Sequence, residues 1–197
     1  MQEKVAQLLP ERDGHFALES GHHGRIWLDL ELLFLHPERV QPLAEVLADR
    51  LRHFRPDAIC GPLVEGAFVA LSVAASLRIS FTYAVPREDG DAGLFPVSYI
   101  IPKPLQDELR GKRVAIVNDV INAGSAVRGT LRSLEGCAAK LVAIGTLAVY
   151  GDAANKLAES HAVPLETLAS FPGEIWEPRS CPLCAEGIPL TGGVVDP

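Results

Sequence analysis

No apolar run in this chain is long enough to cross a bilayer; the longest candidates, near Ile59 to Leu77, are broken by Gly61, Pro62, Glu65 and Gly66. Basic charge is scarce as well: 18 Lys and Arg stand against 25 Asp and Glu, a net charge of −7. With no basic face to release counterions from a phosphodiester backbone, nucleic acid is excluded as a generic partner, and a membrane is not expected either. The opening residues, Met-Gln-Glu-Lys-Val-Ala-Gln, lack the basic-then-apolar layout of a signal peptide. Cysteine is sparse. Of the four, Cys60 and Cys137 stand among apolar neighbours and read as reduced core thiols, so the expected location is the cytoplasm. Internal repeats and low-complexity tracts are absent too.

What is present is core-forming material. Hydrophobic residues make up 48% of the 197 and charged ones 22%, which excludes wholesale disorder and suits one domain over 1–197. From about residue 40 strand and helix patterns alternate. Val40, Leu43, Leu47, Leu51 and Phe54 form a helical stripe; Asp57 to Cys60 reads as a strand, Ala67 to Leu77 as a buried helix and Ile79 to Val85 as a strand. Leu141 to Tyr150 (strand), Ala153 to His161 (helix) and Leu165 to Ala169 (strand) continue the series. Such alternation predicts an α/β fold with a central parallel sheet flanked by helices, binding ligands beyond the carboxyl ends of its strands. Pro86 to Pro104, rich in Pro, Gly and Asp, reads as the one long irregular segment, of the kind that serves as a lid.

The most informative stretch runs from Arg113 to Gly129. Val114 to Val117 is a short β-branched run suited to a strand buried on both faces, and Asn118 and Asp119 are expected to end it at a crevice. Asn122, Ala123, Gly124, Ser125 and Ala126 are small and turn-competent; Val127, Leu131 and Leu134 then recur at helical spacing, so a helix opens near Ser125. Loop amides and a helix N-terminus can hold a phosphate, while the carboxylate of Asp119 can take ribose hydroxyls or help position a metal.

This stretch resembles the phosphoribosyl-pyrophosphate (PRPP) motif of the type I phosphoribosyltransferases, most closely the orotate phosphoribosyltransferase version. The family's usual pair of acids is Asn118-Asp119 here, and its usual Thr is Asn122. Upstream, Phe16, Leu18, Ser20 and Gly21 match a Phe-x-Leu-x-Ser-Gly element that in orotate phosphoribosyltransferases belongs to a hood over the base; the usual Lys is Glu19 and the usual Arg is His22. Read without that resemblance, the same stretch is a β-hairpin turning at Ser20-Gly21. Gly61-Pro62-Leu63-Val64-Glu65-Gly66 looks like the family's pyrophosphate loop, with Glu65 in place of Lys. A carboxylate there is unfavourable beside pyrophosphate unless Mg²⁺ or an arginine lies between them. Pro86 to Gly93 takes the place of the basic catalytic loop, of which only Arg87 is recognisable.

The tail holds Cys181-Pro182-Leu183-Cys184. A zinc site needs four ligands and no second Cys pair exists, so the pair is at most a zinc half-site and reads as a metal-free knuckle. His22 and His23 would have to complete it in space, and nothing in the sequence places them there.

The resemblance implies a type I phosphoribosyltransferase fold, a central parallel sheet with flanking helices and a small N-terminal hood (about 1–36), plus the tail (about 174–197). It also implies a homodimer, Mg²⁺ bound with PRPP, possible contact through Asp119, and transfer of phosphoribose from PRPP to a base, orotate above all. The implied roles are Asp119, Asn118 and Arg87 at the reacting centre and Asn122 to Ala126 at the 5′-phosphate. Leu63, Val64, Glu65 and Gly66 fall to the pyrophosphate, and Arg128, Phe16, Glu19 and Ser20 to the base. Two alternatives stand beside orotate transfer: another acceptor base, or a non-catalytic PRPP or nucleotide sensor.

Overall fold

The strand at the centre of the chain shows why the fold has two cores. Val114 and Ile116 pack into one apolar cluster, while Ala115 and Val117, pointing the other way, pack into the other. A strand buried on both faces needs a helical layer on each side of its sheet. The computed structural model describes residues 1–88 and 93–193. In chain order the elements are α1 (Gln2–Ala6), β1 (Glu11–Ala17), β2 (His23–Leu28), a 3₁₀ turn (Leu30–Leu35), α2 (Pro37–Arg52), β3 (Ala58–Pro62), α3 (Glu65–Leu77), β4 (Ser80–Glu88) and β5 (Val97–Ile100). There follow α4 (Lys103–Leu109), β6 (Arg113–Ile121), α5 (Ser125–Gly136), β7 (Lys140–Tyr150), α6 (Ala153–Ser160), β8 (Leu165–Phe171), β9 (Ile175–Trp176), α7 (Pro182–Ala185) and β10 (Gly192–Gly193).

The main sheet has the order β5-β4-β3-β6-β7-β8 and is parallel except for the edge strand β5. Helices α2 and α3 cover one face: Leu43, Leu47, Leu51, Val69 and Val73 meet Ala115, Val117 and Leu147. Val127, Leu131 and Leu134 of α5 with Leu157 of α6 cover the other, against Ile116 and Ile144. Burying one such leucine is worth about 1.5–3 kcal/mol, which is why the stripe on α2 holds that helix to the sheet. After β3 the chain moves to β4 on one side, and it returns to β6 on the other. The loops following β3 and β6 therefore diverge at a switch point, the place where open α/β sheets bind ligands.

A second, four-stranded sheet of order β10-β1-β2-β9 forms the hood. The β1–β2 hairpin turns through Ser20 and Gly21, with the Leu18 and His22 backbones bonded across it. Chain termini meet in this sheet, since β10 pairs with Phe16 and Ala17, and β9 with His23 and Gly24.

Two expectations change. Pro86 to Pro104 is not irregular throughout: β4 runs on to Glu88 and pairs antiparallel with β5, from Val85↔Ile100 to Glu88↔Val97. Of the acidic loop, residues 89–92 lie outside the described residues. Asn118 and Asp119 also do not end their strand, because β6 stays paired with β7 as far as Ile121↔Val149.

Candidate active site

Beyond the carboxyl ends of β3 and β6 lies a crevice of about 320 Å³. One wall is the turn from β6 into α5. Gly124 sits at the helix N-cap with φ +82, a conformation that disfavours any side chain, and no side chain caps the helix. The first-turn amides of α5 are thereby left to face the residues lining the crevice, Asn122 to Val127. The opposite wall is the turn from β3 into α3. Gly66 is held against Asn118 so closely that a Cβ there would come within 2.0 Å of Asn118 Oδ1. The Asn118 amide donates to Val120 O at 2.8 Å, so the side chain is fixed in place.

The hood closes the top. Glu19 at its tip accepts from Ser125 Oγ at 2.7 Å through one carboxylate oxygen and from Tyr99 Oη at 2.8 Å through the other. Phe95 N donates to Ser20 O at 2.8 Å, which fastens the tip to the chain entering β5.

Negative charge dominates this space. Glu19, Glu31 and Glu65 line it, and no lysine or arginine does so among the described residues. Asp119 is 5% exposed, and its Oδ1 accepts from Val120 N at 2.7 Å. Burial pushes its carboxyl up to about 7, and the nearby Glu65 and Glu31 push the same way. Burial, then Glu31, likewise raises Glu65, although its helix-terminal backbone bond opposes the shift. Carboxylates that face one crevice without a counter-charge leave an anionic ligand to bring positive charge with it, as a divalent cation such as Mg²⁺ does.

The residues singled out from sequence fall into three groups. Asn118, Asn122 to Ala126, Glu19, Ser20 and Glu65 line the crevice together. Gly66 packs against Asn118, Leu63 N donates to Ala84 O, and Val64 is exposed. Phe16 does not line the crevice; it is buried inside the hood against Trp27, which itself reaches the opening. Asp119 is also withdrawn from the surface, because it points to the side of β6 opposite Asn118. Arg87 sits at an exposed position of β4 opposite Ser98.

Arg128 lies one turn into α5, its guanidinium 4.9 Å from the Phe95 ring centre, and its buried Nε has no hydrogen-bond partner among the described residues. Phe95 also meets the His22 ring, so Arg128 stands beside the hood tip. Sequence reasoning missed Glu31, Trp27 and Tyr99, which carry no motif and reach the site only through tertiary packing. It also missed His15. Together with His23, Cys181 and Cys184 that residue forms a cluster that lines no part of the crevice.

A profile of the phosphoribosyl transferase domain matches residues 31–180, which include both turns of the crevice. The chain is 28% identical over 195 residues to the orotate phosphoribosyltransferase of Caldanaerobacter subterraneus subsp. tengcongensis, covering 95% of this chain and 94% of that one. Its fold is similar to adenine phosphoribosyltransferase from Thermoanaerobacter pseudethanolicus (TM-score 0.68, 19% identity, 86% of this chain and 99% of that one). It is also similar to orotate phosphoribosyltransferase from Aeropyrum pernix (TM-score 0.63, 21% identity, 85% and 90%). Uncapped helix amides, a switch-point crevice and a domain match across both of its walls agree: the chain belongs to the phosphoribosyl transferase family and is a PRPP-dependent transferase.

Proposed function

We propose that this transferase moves the 5-phosphoribosyl group from PRPP to orotate, giving orotidine 5′-monophosphate and pyrophosphate. The observation that carries this reading is the stretch from Asn118 to Arg128, in which a small-residue turn, an uncapped helix start and an arginine with an unpartnered buried Nε lie in one run. An arginine fork matches a carboxylate, and orotate differs from uracil by one carboxylate. The relatives named orotate phosphoribosyltransferase and the hood hairpin support the same acceptor.

In this reading the α5 amides from Asn122 to Ala126 take the 5′-phosphate, and the Ser125 hydroxyl turns to it from Glu19. Asn118 meets the ribose hydroxyls, with the buried carboxyl of Asp119 on the opposite side of the same strand. The backbone from Leu63 to Gly66 takes the pyrophosphate, which Arg87 meets from β4. Glu65 would hold Mg²⁺, which supplies positive charge to the departing pyrophosphate. As the C1–O bond to pyrophosphate breaks, the anomeric carbon becomes oxocarbenium-like and the base nitrogen bonds to it. Catalysis is then positioning and charge stabilisation, with no covalent enzyme intermediate. A homodimer would cover exposed apolar side chains such as Leu32, Leu35, Val64, Phe68 and Leu71.

One observation favours a different acceptor. Glu19 places a carboxylate in the crevice, which repels an anionic base. Pyrophosphate release from PRPP and Mg²⁺ with orotate, uracil, hypoxanthine and adenine separates the readings. Orotate should be preferred, and Arg128→Ala should raise its KM about tenfold or more, the loss of a charge-assisted contact worth roughly 1.5–3 kcal/mol. Release with a neutral base and none with orotate overturns the acceptor and leaves the transferase.

A further inference from the structure

We propose that His15, His23, Cys181 and Cys184 bind one Zn²⁺ in a tetrahedral site that clamps the C-terminal tail to the hood. The four ligand atoms come from three elements: His15 from β1, His23 from β2, and both cysteines from the turn around α7. All lie within 4.8 Å of one another. Zinc bound tetrahedrally at about 2.05 Å from nitrogen and about 2.3 Å from sulfur sets edges of about 3.3 Å for N···N and about 3.6 Å for N···S. The observed His15 Nε2···His23 Nδ1 separation is 3.1 Å. The N···S separations are 3.2 Å (Cys184 to His23), 3.4 Å (Cys181 to His15) and 3.7 Å (Cys184 to His15). Four of the six edges of a zinc tetrahedron are therefore already close to their lengths, and the other two are no longer than 4.8 Å.

The surrounding contacts fit a ligand role. His15 Nδ1 lies 2.7 Å from Ile188 O, a carbonyl that can only accept, so this nitrogen carries the proton and Nε2 presents a lone pair to the cluster. A carbonyl fixing the far nitrogen is the usual support for a metal-bound imidazole. His15 and Cys181 are buried, at 1% and 3% exposure, while Cys184 is exposed and leaves a route for the ion from solvent. Two imidazoles and two thiols in this geometry select zinc over the hard cations suited to the crevice. His22, adjacent in sequence, turns away to Ser20 Oγ and Phe95. Strand alternation decides which of the two histidines faces the knuckle.

The consequence is mechanical. The tail beyond the knuckle runs through Thr191, bonded to the His15 backbone, into β10 beside Phe16 and Ala17. A metal joining positions about 160 residues apart along the chain removes much of the freedom of both ends, and its binding energy adds to folding. The hairpin so clamped carries Glu19 and Ser20 to the crevice.

The test uses the full chain, purified under reductant without added metal. Elemental analysis should find one zinc per chain. After chelation, Co²⁺ added alone should give the visible absorption of a tetrahedral thiolate site, and the chelated protein should melt at lower temperature. Cys184→Ser, conservative and at an exposed position, should lose the zinc and the Co²⁺ spectrum, while His22→Ala should keep both. A folded wild-type chain that holds no zinc and gives no Co²⁺ spectrum overturns the site. So does zinc retained in full by Cys184→Ser, or a Cys181–Cys184 disulfide found in the reduced preparation. None of these readouts depends on the acceptor base or on turnover.

Discussion

The two turns that form the crevice are built alike and charged differently. Each leads from the carboxyl end of a central strand into a helix N-terminus, β3 into α3 and β6 into α5. The first residues of α5 are Ser125 and Ala126, and no acid stands in its first turn; α3 begins with Glu65. At a helix N-terminus a carboxylate is itself stabilised by the dipole, so Glu65 partly satisfies its helix before any ligand arrives. One turn is thus open to an anion as it stands; on the proposed reading the other needs a cation between its carboxylate and a pyrophosphate. A single fold device can serve two phosphate groups while drawing the compensating charge from different sources.

The largest break comes from forcing the two turns apart. Gly66→Ala sets a Cβ about where Asn118 Oδ1 now lies, within 2.0 Å, and the neighbours are backbone-anchored on both sides. Turnover should fall by about a hundredfold, the scale of a 1 Å misplacement of reacting groups, with a lower melting temperature from overpacking. Unchanged turnover would show that the contact between α3 and Asn118 does not shape the site.

The next separates charge from fold at Asp119. A buried acid with its pKa raised from 3.8 to about 7 binds a proton in the folded state that the unfolded chain has released. Its burial therefore costs nothing below about pH 4, costs progressively more from there to about pH 7, and costs its full amount above that. Asp119→Asn, which retains an acceptor for the Val120 N–H, should stabilise the fold by a few kcal/mol at pH 8 and hardly at all at pH 4. On the proposed reading the same variant should also lose turnover, since a negative charge behind the ribose-binding Asn118 is gone. Denaturant melts at the two pH values check the first claim; equal effects at both would remove the buried charge from the account.

A smaller effect is expected at the hood. Glu19→Gln removes the carboxylate that faces Ser125 and Tyr99 while keeping hydrogen-bonding groups. The KM for orotate should fall several-fold, the size of one weakly screened like-charge contact. A rise would instead make Glu19 a direct contact to the base.

Much of this was legible because it is local. The run from Val114 to Leu134 writes a doubly buried strand, a small-residue turn and an amphipathic helix within about twenty residues, and each signal is decided by near neighbours. The same holds for Gly61 to Gly66. Asn118 and Asp119 read alike in sequence, yet successive side chains on a strand point to opposite faces; both are buried, but only Asn118 lines the crevice. The β4–β5 pairing was not legible, because the segment is rich in Pro, Gly and Asp and the ladder depends on partners 9 to 15 residues apart. His15 was invisible for the same reason on a longer scale, since it meets Cys181 across 166 residues. Histidines on a hairpin and a cysteine pair in a tail become one cluster only when the hood sheet brings the chain ends together.

The central claim is that the β3–α3 turn relies on a divalent cation where a basic side chain is missing. Calorimetric titration of PRPP into the wild-type chain and into Glu65→Lys, each with and without Mg²⁺, tests it most directly. Wild-type protein should bind PRPP only with Mg²⁺, and Glu65→Lys should recover binding in its absence. Equal binding by the wild type with and without Mg²⁺, or a Glu65→Lys variant with the same strict requirement, would contradict the claim.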